Sequence, residues 1–228
     1  MSASVSGPVL GLFALRPLRR LAMAVCAALA LTIAADLFSI YAGLAARSQV
    51  GPAFSDTASM SALLDWNQAQ LVYSRAGSAQ LLLLVVTACV FLVWFSRARR
   101  NGEVFALDGF TRKPGWAVGS WFVPVANLWM PYRIAVEIWR ASSPGRTSPT
   151  LVNAWWAAWI TASLVSWFGG QSYGRAEEAD AIEQAVSVLL LADVLDIAAA
   201  VLAMAFVWRL SGMQDAKATH AQGPLTSL

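Results

Sequence analysis

Reactive side chains are scarce in this chain. It has one histidine, His220, and two cysteines, Cys26 and Cys89; each cysteine sits inside an apolar run and neither belongs to a Cys-x-x-Cys pair. A zinc or haem site built from His and Cys therefore has no ligand set. No Gly-rich phosphate loop, Gly-x-Ser-x-Gly elbow or His-Glu-x-x-His pair occurs, so the motifs of phosphoryl transfer, acyl transfer and metallohydrolysis are missing. The expectation is a protein that is not an enzyme, with no cofactor and no bound metal. Charge is the other shortage. Charged residues are 13% of the chain and hydrophobic ones 58%, where soluble domains carry roughly 25% charge. So few charges cannot cover a soluble surface. Lysine is confined to Lys113 and Lys217, and no repeat with a period of about 20 to 50 residues is present.

What the sequence has in abundance is long apolar runs. A helix needs about 20 residues to cross roughly 30 Å of hydrocarbon. Runs of that kind fall at residues 21–44, 71–96, 154–169 and 185–208, which predicts an all-α, polytopic membrane bundle of four spans within one domain, residues 21–210. The third run is the shortest, but Trp155 and Trp156 open it and Trp167 closes it, as aromatic residues at the two interfaces would. A polar tail, 211–228, is predicted to be disordered, and in the loop after the first run a helix is expected to start near Asp56, capped by Ser55, Asp56 or Thr57.

The basic residues fix a predicted orientation, because loops on the cytoplasmic side of spans are rich in Lys and Arg. The N-terminal flank, residues 1–20, holds Arg16, Arg19 and Arg20. Arg97, Arg99, Arg100, Arg112, Lys113, Arg133, Arg140 and Arg146 lie between the second and third runs, and Arg209 and Lys217 follow the fourth. That is 13 of the 16 basic residues. The opposite loops carry only Arg47, Arg75 and Arg175, beside Asp56, Asp65, Glu177, Glu178, Asp180 and Glu183. Both termini are predicted to be cytoplasmic. Arg16 to Arg20 followed by LAMAVCAALALTIAA also fits a signal peptide, but the apolar character continues through Leu37 to Leu44, which favours an uncleaved anchor.

The segment 115–142, GWAVGSWFVPVANLWMPYRIAVEIWRAS, is apolar yet interrupted. Counting it as a span would move Arg140, Arg146, Arg209 and Lys217 to the other side and spoil the charge asymmetry. Pro124 and Pro131 would each break a continuous helix. The segment is instead predicted to be re-entrant or interfacial, with Pro131 opening a helix. On that helix Tyr132, Ala135, Val136 and Trp139 share one face, and Arg133, Glu137 and Arg140 the other. Such a helix would lie in the headgroup layer, with an Arg133–Glu137 pair at i, i+4. Trp121 and Trp129, with Trp116 and Trp139, read as anchors in an aromatic belt. Asn127 is expected to hydrogen-bond the backbone freed by Pro131.

That string, preceded by WFSRARRNGEVFALDG and followed by VNAWWAAWI, resembles the bacterial membrane proteins grouped as domain of unknown function 4328. The resemblance rests on Trp121, Phe122, Pro124, Asn127, Trp129, Pro131, the Arg-Ala-Ser ending at Ser142 and the pair Trp155, Trp156. It implies a multi-pass protein of the bacterial cytoplasmic membrane, and it carries over no catalytic or binding residue.

Three acids lie inside the apolar runs: Asp36, Asp193 and Asp196. A charge at membrane depth costs several kcal/mol unless it is paired or neutralised. Asp193 and Asp196 share a helix face at i, i+3. Asp36 and Asp193 each fall about 8 residues, roughly 12 Å, below the outer surface and could meet at one level. Together they could hold a proton or a cation. Alternatively each acid only accepts from a neighbouring hydroxyl or indole, Ser163, Ser166 or Thr87 among them, or from an arginine. Two functional classes follow, besides a lipid-modifying enzyme that lacks any nucleophile. The first, favoured on the sequence, is a non-catalytic interaction or scaffold protein. Its basic cytoplasmic face would meet anionic lipid headgroups or another membrane protein, possible as a homo-oligomer and with no role for nucleic acid. The second is a small proton- or ion-coupled transporter using the three aspartates.

Overall fold

Long runs of alanine, leucine and valine, with proline and glycine kept mostly to their ends, favour long helices. The computed structural model describes residues 15–106, 108–145 and 147–222. Its helices are α1 (Arg19–Ala53), α2 (Met60–Phe105), the short α3 (Trp116–Gly119), α4 (Met130–Ser142), α5 (Thr150–Tyr173) and α6 (Ala179–Gln222), with a single 3-10 turn at Ala126–Leu128. Among the described residues the fold is all-α. Arg146, residues 1–14 of the N-terminal flank and residues 223–228 of the expected tail lie outside the described set.

Three described helices are long and apolar enough to cross a membrane: Arg19–Ala53, Met60–Phe105 and Ala179–Thr219. The sequence led us to expect four. The missing one, 154–169, lies in α5, whose 24 residues reach about 36 Å as helix but hold no stretch as apolar as those of the other three. Trp155, Trp156, Trp159 and Trp167 each bring an indole N–H, and Asn153, Thr161, Ser163 and Ser166 add polar tips. In the most apolar 18-residue window of the three qualifying helices, only 33, 17 and 22% is buried within the protein. So much exposed apolar surface requires an apolar surrounding. The three helices therefore suggest a membrane protein.

Two helix boundaries differ from expectation. The helix foreseen near Asp56 begins at Met60 and runs without interruption to Phe105. Its cap is Ser59, whose hydroxyl oxygen accepts the Ala62 N–H at 3.2 Å. At the other end of the chain, the stretch from Ser211 expected to be disordered is helical through Gln222. It is held by buried polar contacts: Trp94 Nε1 donates to Ser211 Oγ at 3.0 Å, and Gln214 Nε2 donates to Ala98 O at 3.0 Å and Ser142 Oγ at 2.8 Å.

The chain divides into two compact units. The first comprises Met1–Ala27, Ala88–Ala154 and Ala203–Leu228; the second comprises Ala28–Thr87 and Trp155–Leu202. In the first unit Trp94, Phe95, Ile134, Ile138, Trp139, Phe206 and Leu210 are fully buried. The Trp94 and Phe206 rings meet edge to face at 5.6 Å, and Phe206 lies 6.2 Å from Trp139. Arg99 is buried with them. It pairs with Glu103 at 2.9 Å, donates to Arg112 O at 2.7 Å and stacks 3.6 Å over the Phe110 ring. Phe110 fits there because residue 102 is glycine: a Cβ would meet the ring at 2.8 Å. In the second unit Ala42, Ala46 and Val50 of α1 pack with Trp66, Tyr73 and Ala76 of α2 and Ile182 and Val186 of α6. Gly43 admits the Tyr73 ring and Leu190, which a Cβ would meet at 3.0 and 2.9 Å.

Segment 115–142 is broken where the prolines require. The chain turns after Gly119, and Pro131 sits in the first turn of α4, where its missing donor costs nothing. No side-chain rescue from Asn127 is therefore needed, and this residue gives its backbone N–H to Val123 O at 3.1 Å. The expected surface character of α4 is not what is observed. Pro131, Ile134, Ala135, Val136, Ile138, Trp139, Ala141 and Ser142 are all buried, so this is a core helix of its unit. Trp139, expected as an anchor, is 2% exposed. The Arg133–Glu137 pair is replaced by a hydroxyl contact: Thr111 Oγ1 donates to Glu137 Oε1 at 2.7 Å, while Arg133 stays exposed.

Val125 stands out in this segment, with φ 66° and ψ −49°. Ala126 N–H reaches back to Pro124 O at 2.7 Å, which closes a three-residue γ-turn of the rare positive-φ kind. A β-branched residue is strained there. Replacing Val125 by glycine should relieve about 1 to 3 kcal/mol of strain against up to about 1 kcal/mol of added chain entropy. Thermal unfolding of the detergent-solubilised protein should then shift upward by a few degrees; an unchanged or lower midpoint would argue against a strained turn.

Candidate functional site

In α1 the polar residues Thr32, Asp36 and Ser39 are spaced four and three apart, which puts them on one helix face. All three are buried, and Asp36 is 2% exposed. The same spacing brings Tyr73, Gly77, Gln80 and Leu84 together on α2 and Asp193 and Asp196 on α6, while Trp159, Ser163, Ser166, Gly170 and Tyr173 form a stripe on α5. These faces line a cavity of about 640 Å³ within the second unit.

Gln80 is the centre of the polar cluster. Its amide Nε2 donates to Asp36 Oδ1 at 2.8 Å and to Asp193 Oδ1 at 2.9 Å, joining residues from three helices. Asp196 and Ser39 line the same cavity beside this cluster. A second link follows one turn away, where the Thr32 and Thr87 hydroxyls meet at 3.2 Å. Two buried carboxylate oxygens, Asp36 Oδ2 and Asp193 Oδ2, have no hydrogen-bond partner. No lysine, arginine or histidine lines the cavity. Three carboxyl groups thus face one space whose other polar groups are amides, hydroxyls and indoles, with the Gln80 amide alone bridging two of the acids. An arrangement of this kind attracts protons or cations, because uncompensated carboxylates away from water are costly. Among the described residues no group of three His, Cys, Asp or Glu is arranged to hold a metal ion.

Of the residues singled out from sequence, the structure brings Asp36, Asp193 and Asp196 together. The partners considered for them do other work: Ser163 Oγ donates to its own helix at Trp159 O, 2.8 Å away, and Thr87 pairs with Thr32. Trp121, Pro124, Asn127, Trp129, Pro131, Arg133 and Glu137 all belong to the first unit, and none of them lines the cavity that holds the aspartates. Trp121 instead sits edge-on to the rings of Phe91 and Phe95 at 5.6 and 6.2 Å. Gln80 was not foreseen. The available signal was an amide within the apolar stretch that opens at Ala79, and Thr32 and Ser39 at helical spacing from Asp36.

Replacing Gln80 by leucine removes the donor from two carboxylates at once. The expected cost is about 1 to 3 kcal/mol, that of leaving buried acceptors unsatisfied, read as a lower unfolding midpoint. Adding Asp36→Asn, which restores an N–H donor, should recover part of it. A Gln80→Leu protein as stable as the parent would show that the bridge carries no weight.

Comparison with known proteins gives one match. The family model described as Domain of unknown function (DUF4328) matches residues 57–212, which include α2 to α5, Gln80, Asp193 and Asp196. No curated protein and no solved structure matches the chain. With well over half of its length covered, the chain belongs to the DUF4328 family.

Proposed function

We propose that this is a non-catalytic integral membrane protein in which Asp36, Asp193, Asp196 and Gln80 form an intramembrane proton- or cation-binding site serving proton- or ion-coupled transport. The observation that carries the proposal is the convergence of three carboxyl groups on one cavity that no basic residue lines. Acids with separate hydroxyl or indole partners would have argued for a purely structural role. Instead two of the acids share one donor and each keeps a buried oxygen without one. Acids at membrane depth that face a cavity mark ion and proton pathways in general.

The charge distribution supports a location and an orientation. Thirteen of the 16 basic residues fall in the stretches of the first unit, which supports a cytoplasmic-membrane protein with both ends of the described chain on the cytoplasmic side. The same concentration supports a second reading, an interaction or scaffold protein whose basic face meets anionic lipid or another membrane protein. The shared cavity moves the balance toward the first.

Reconstituted in vesicles with an imposed proton or sodium gradient, the protein should conduct an ion flux that Asp36→Asn and Asp193→Asn each lower about tenfold or more, as expected for residues that act as a unit. Circular dichroism should show helix content unchanged in both variants. A flux that survives both substitutions, or none from the parent protein in any gradient, would overturn the transport reading and leave the scaffold reading.

A further inference from the structure

The Arg-rich end of α2 divides its work. Arg99 turns inward, where it meets Glu103, the Arg112 carbonyl and the Phe110 ring. Arg97 and Arg100, three apart, share a different face and line a cleft of about 300 Å³ in the first unit. Arg16 completes it from the segment before α1, and its place there is fixed by the backbone. Asn101, 4% exposed, donates from Nδ2 to Arg16 O at 2.9 Å and accepts Arg16 N–H on Oδ1 at 3.1 Å. A reciprocal clamp across 85 residues of sequence thus fixes the Arg16 backbone at a cleft that Arg97 and Arg100 also line.

No carboxylate lines this cleft. The ion pairs between described residues are Arg47–Glu183 and Arg99–Glu103, and neither involves Arg16, Arg97 or Arg100. Three like charges held together without a counter-charge repel one another and favour an anion between them. Ser96 adds a hydroxyl donor to the lining. The rest of the lining is apolar: Leu92 and Val93 lie one turn earlier on α2, toward its apolar run, and Val118 comes from α3. Val93 is 53% exposed, so the apolar side continues onto the outer face of the helix. A basic head region beside an exposed apolar wall suits an amphiphile with an anionic head. Guanidinium groups in turn suit phosphate, which they can grip with two parallel hydrogen bonds.

We propose that Arg16, Arg97 and Arg100 form a binding site for the phosphate headgroup of an anionic phospholipid, with an acyl chain lying along Leu92, Val93 and Val118. This rests on the membrane reading of the chain and is independent of the aspartate cluster. It is narrower than a general attraction of the basic face, because Arg133 and Arg140 are exposed on the same unit and take no part.

The full chain in mild detergent can be titrated with dioctanoyl phosphatidylglycerol, dioctanoyl phosphatidylcholine and inorganic phosphate, bound lipid being counted by native mass spectrometry. Phosphatidylglycerol should bind in preference to both others. The pair Arg97→Gln and Arg100→Gln should weaken that binding about tenfold or more, and Asn101→Ala, which removes no charge, should weaken it by releasing Arg16. Arg133→Gln should leave it unchanged. Equal loss in Arg133→Gln would reduce the site to general surface charge, and inorganic phosphate binding as well as the lipid would remove the lipid from the proposal; either overturns it. Should the double or the Asn101 variant unfold, Arg16→Gln, at an exposed side chain, carries the test with the same expected direction, and full binding by that variant overturns the three-arginine site. If the chain resists alkaline extraction from membranes yet binds no lipid selectively, only this proposal fails. Release by alkali would instead count against the membrane reading itself.

Discussion

Gln80 lies between two carboxylates in an apolar setting, and much of the second unit is arranged to keep it there. An acid carried on an apolar helix must be met by donors, since little water is available to do so. One amide meets two of them, and this requires α1, α2 and α6 to present Asp36, Gln80 and Asp193 at the same level. Small residues allow it: Ala42, Gly43 and Ala46 let α1 approach α2 and α6 closely, with Tyr73 and Leu190 filling the space a Cβ at residue 43 would take. The polar contact and the tight apolar packing thereby support each other in one unit.

The first unit handles charge in a different way. Its basic residues far outnumber its acids, and the structure sorts them by surroundings. Arg99 is enclosed and paired with Glu103, Lys217 reaches the Ala141 carbonyl at 2.8 Å, and Arg209 lies 5.9 Å from the Trp139 ring. Aromatic rings and helix-end carbonyls thus receive positive charge where carboxylates are few. Glu137, an acid on a mostly buried helix, receives a hydroxyl from the connecting segment at Thr111.

Much of this was legible in the sequence where a backbone rule was at stake. Pro124 and Pro131 forbid a continuous helix, and the chain does break between Gly119 and Met130. The rise of a helix put Asp36 and Asp193 at one level, and they are found there. Partner choice was less legible. An amide such as Gln80 has no charge to mark it, and its role depends on which helices become neighbours. The tryptophans misled for a related reason: composition cannot separate an interfacial ring from a core one, and Trp94 and Trp139 are core. The count of apolar spans failed at α5, where indoles and hydroxyls dilute a helix that is otherwise long enough. The continuity of α2 from Met60 was hidden because Asn67, Gln68 and Gln70 lower the hydropathy without opposing the helix.

The cavity in the second unit has an imbalance of hydrogens. Its three carboxyl groups offer six oxygens, and the Gln80 amide has two hydrogens to give, both already placed on one oxygen of Asp36 and one of Asp193. Asp36 Oδ2 and Asp193 Oδ2 are left as acceptors awaiting a donor. A guest that completes this network must give those two oxygens either hydrogens, as water, hydronium or an ammonium group does, or the direct charge of a cation, while the hydroxyl, amide and indole groups elsewhere on the lining serve a guest that accepts.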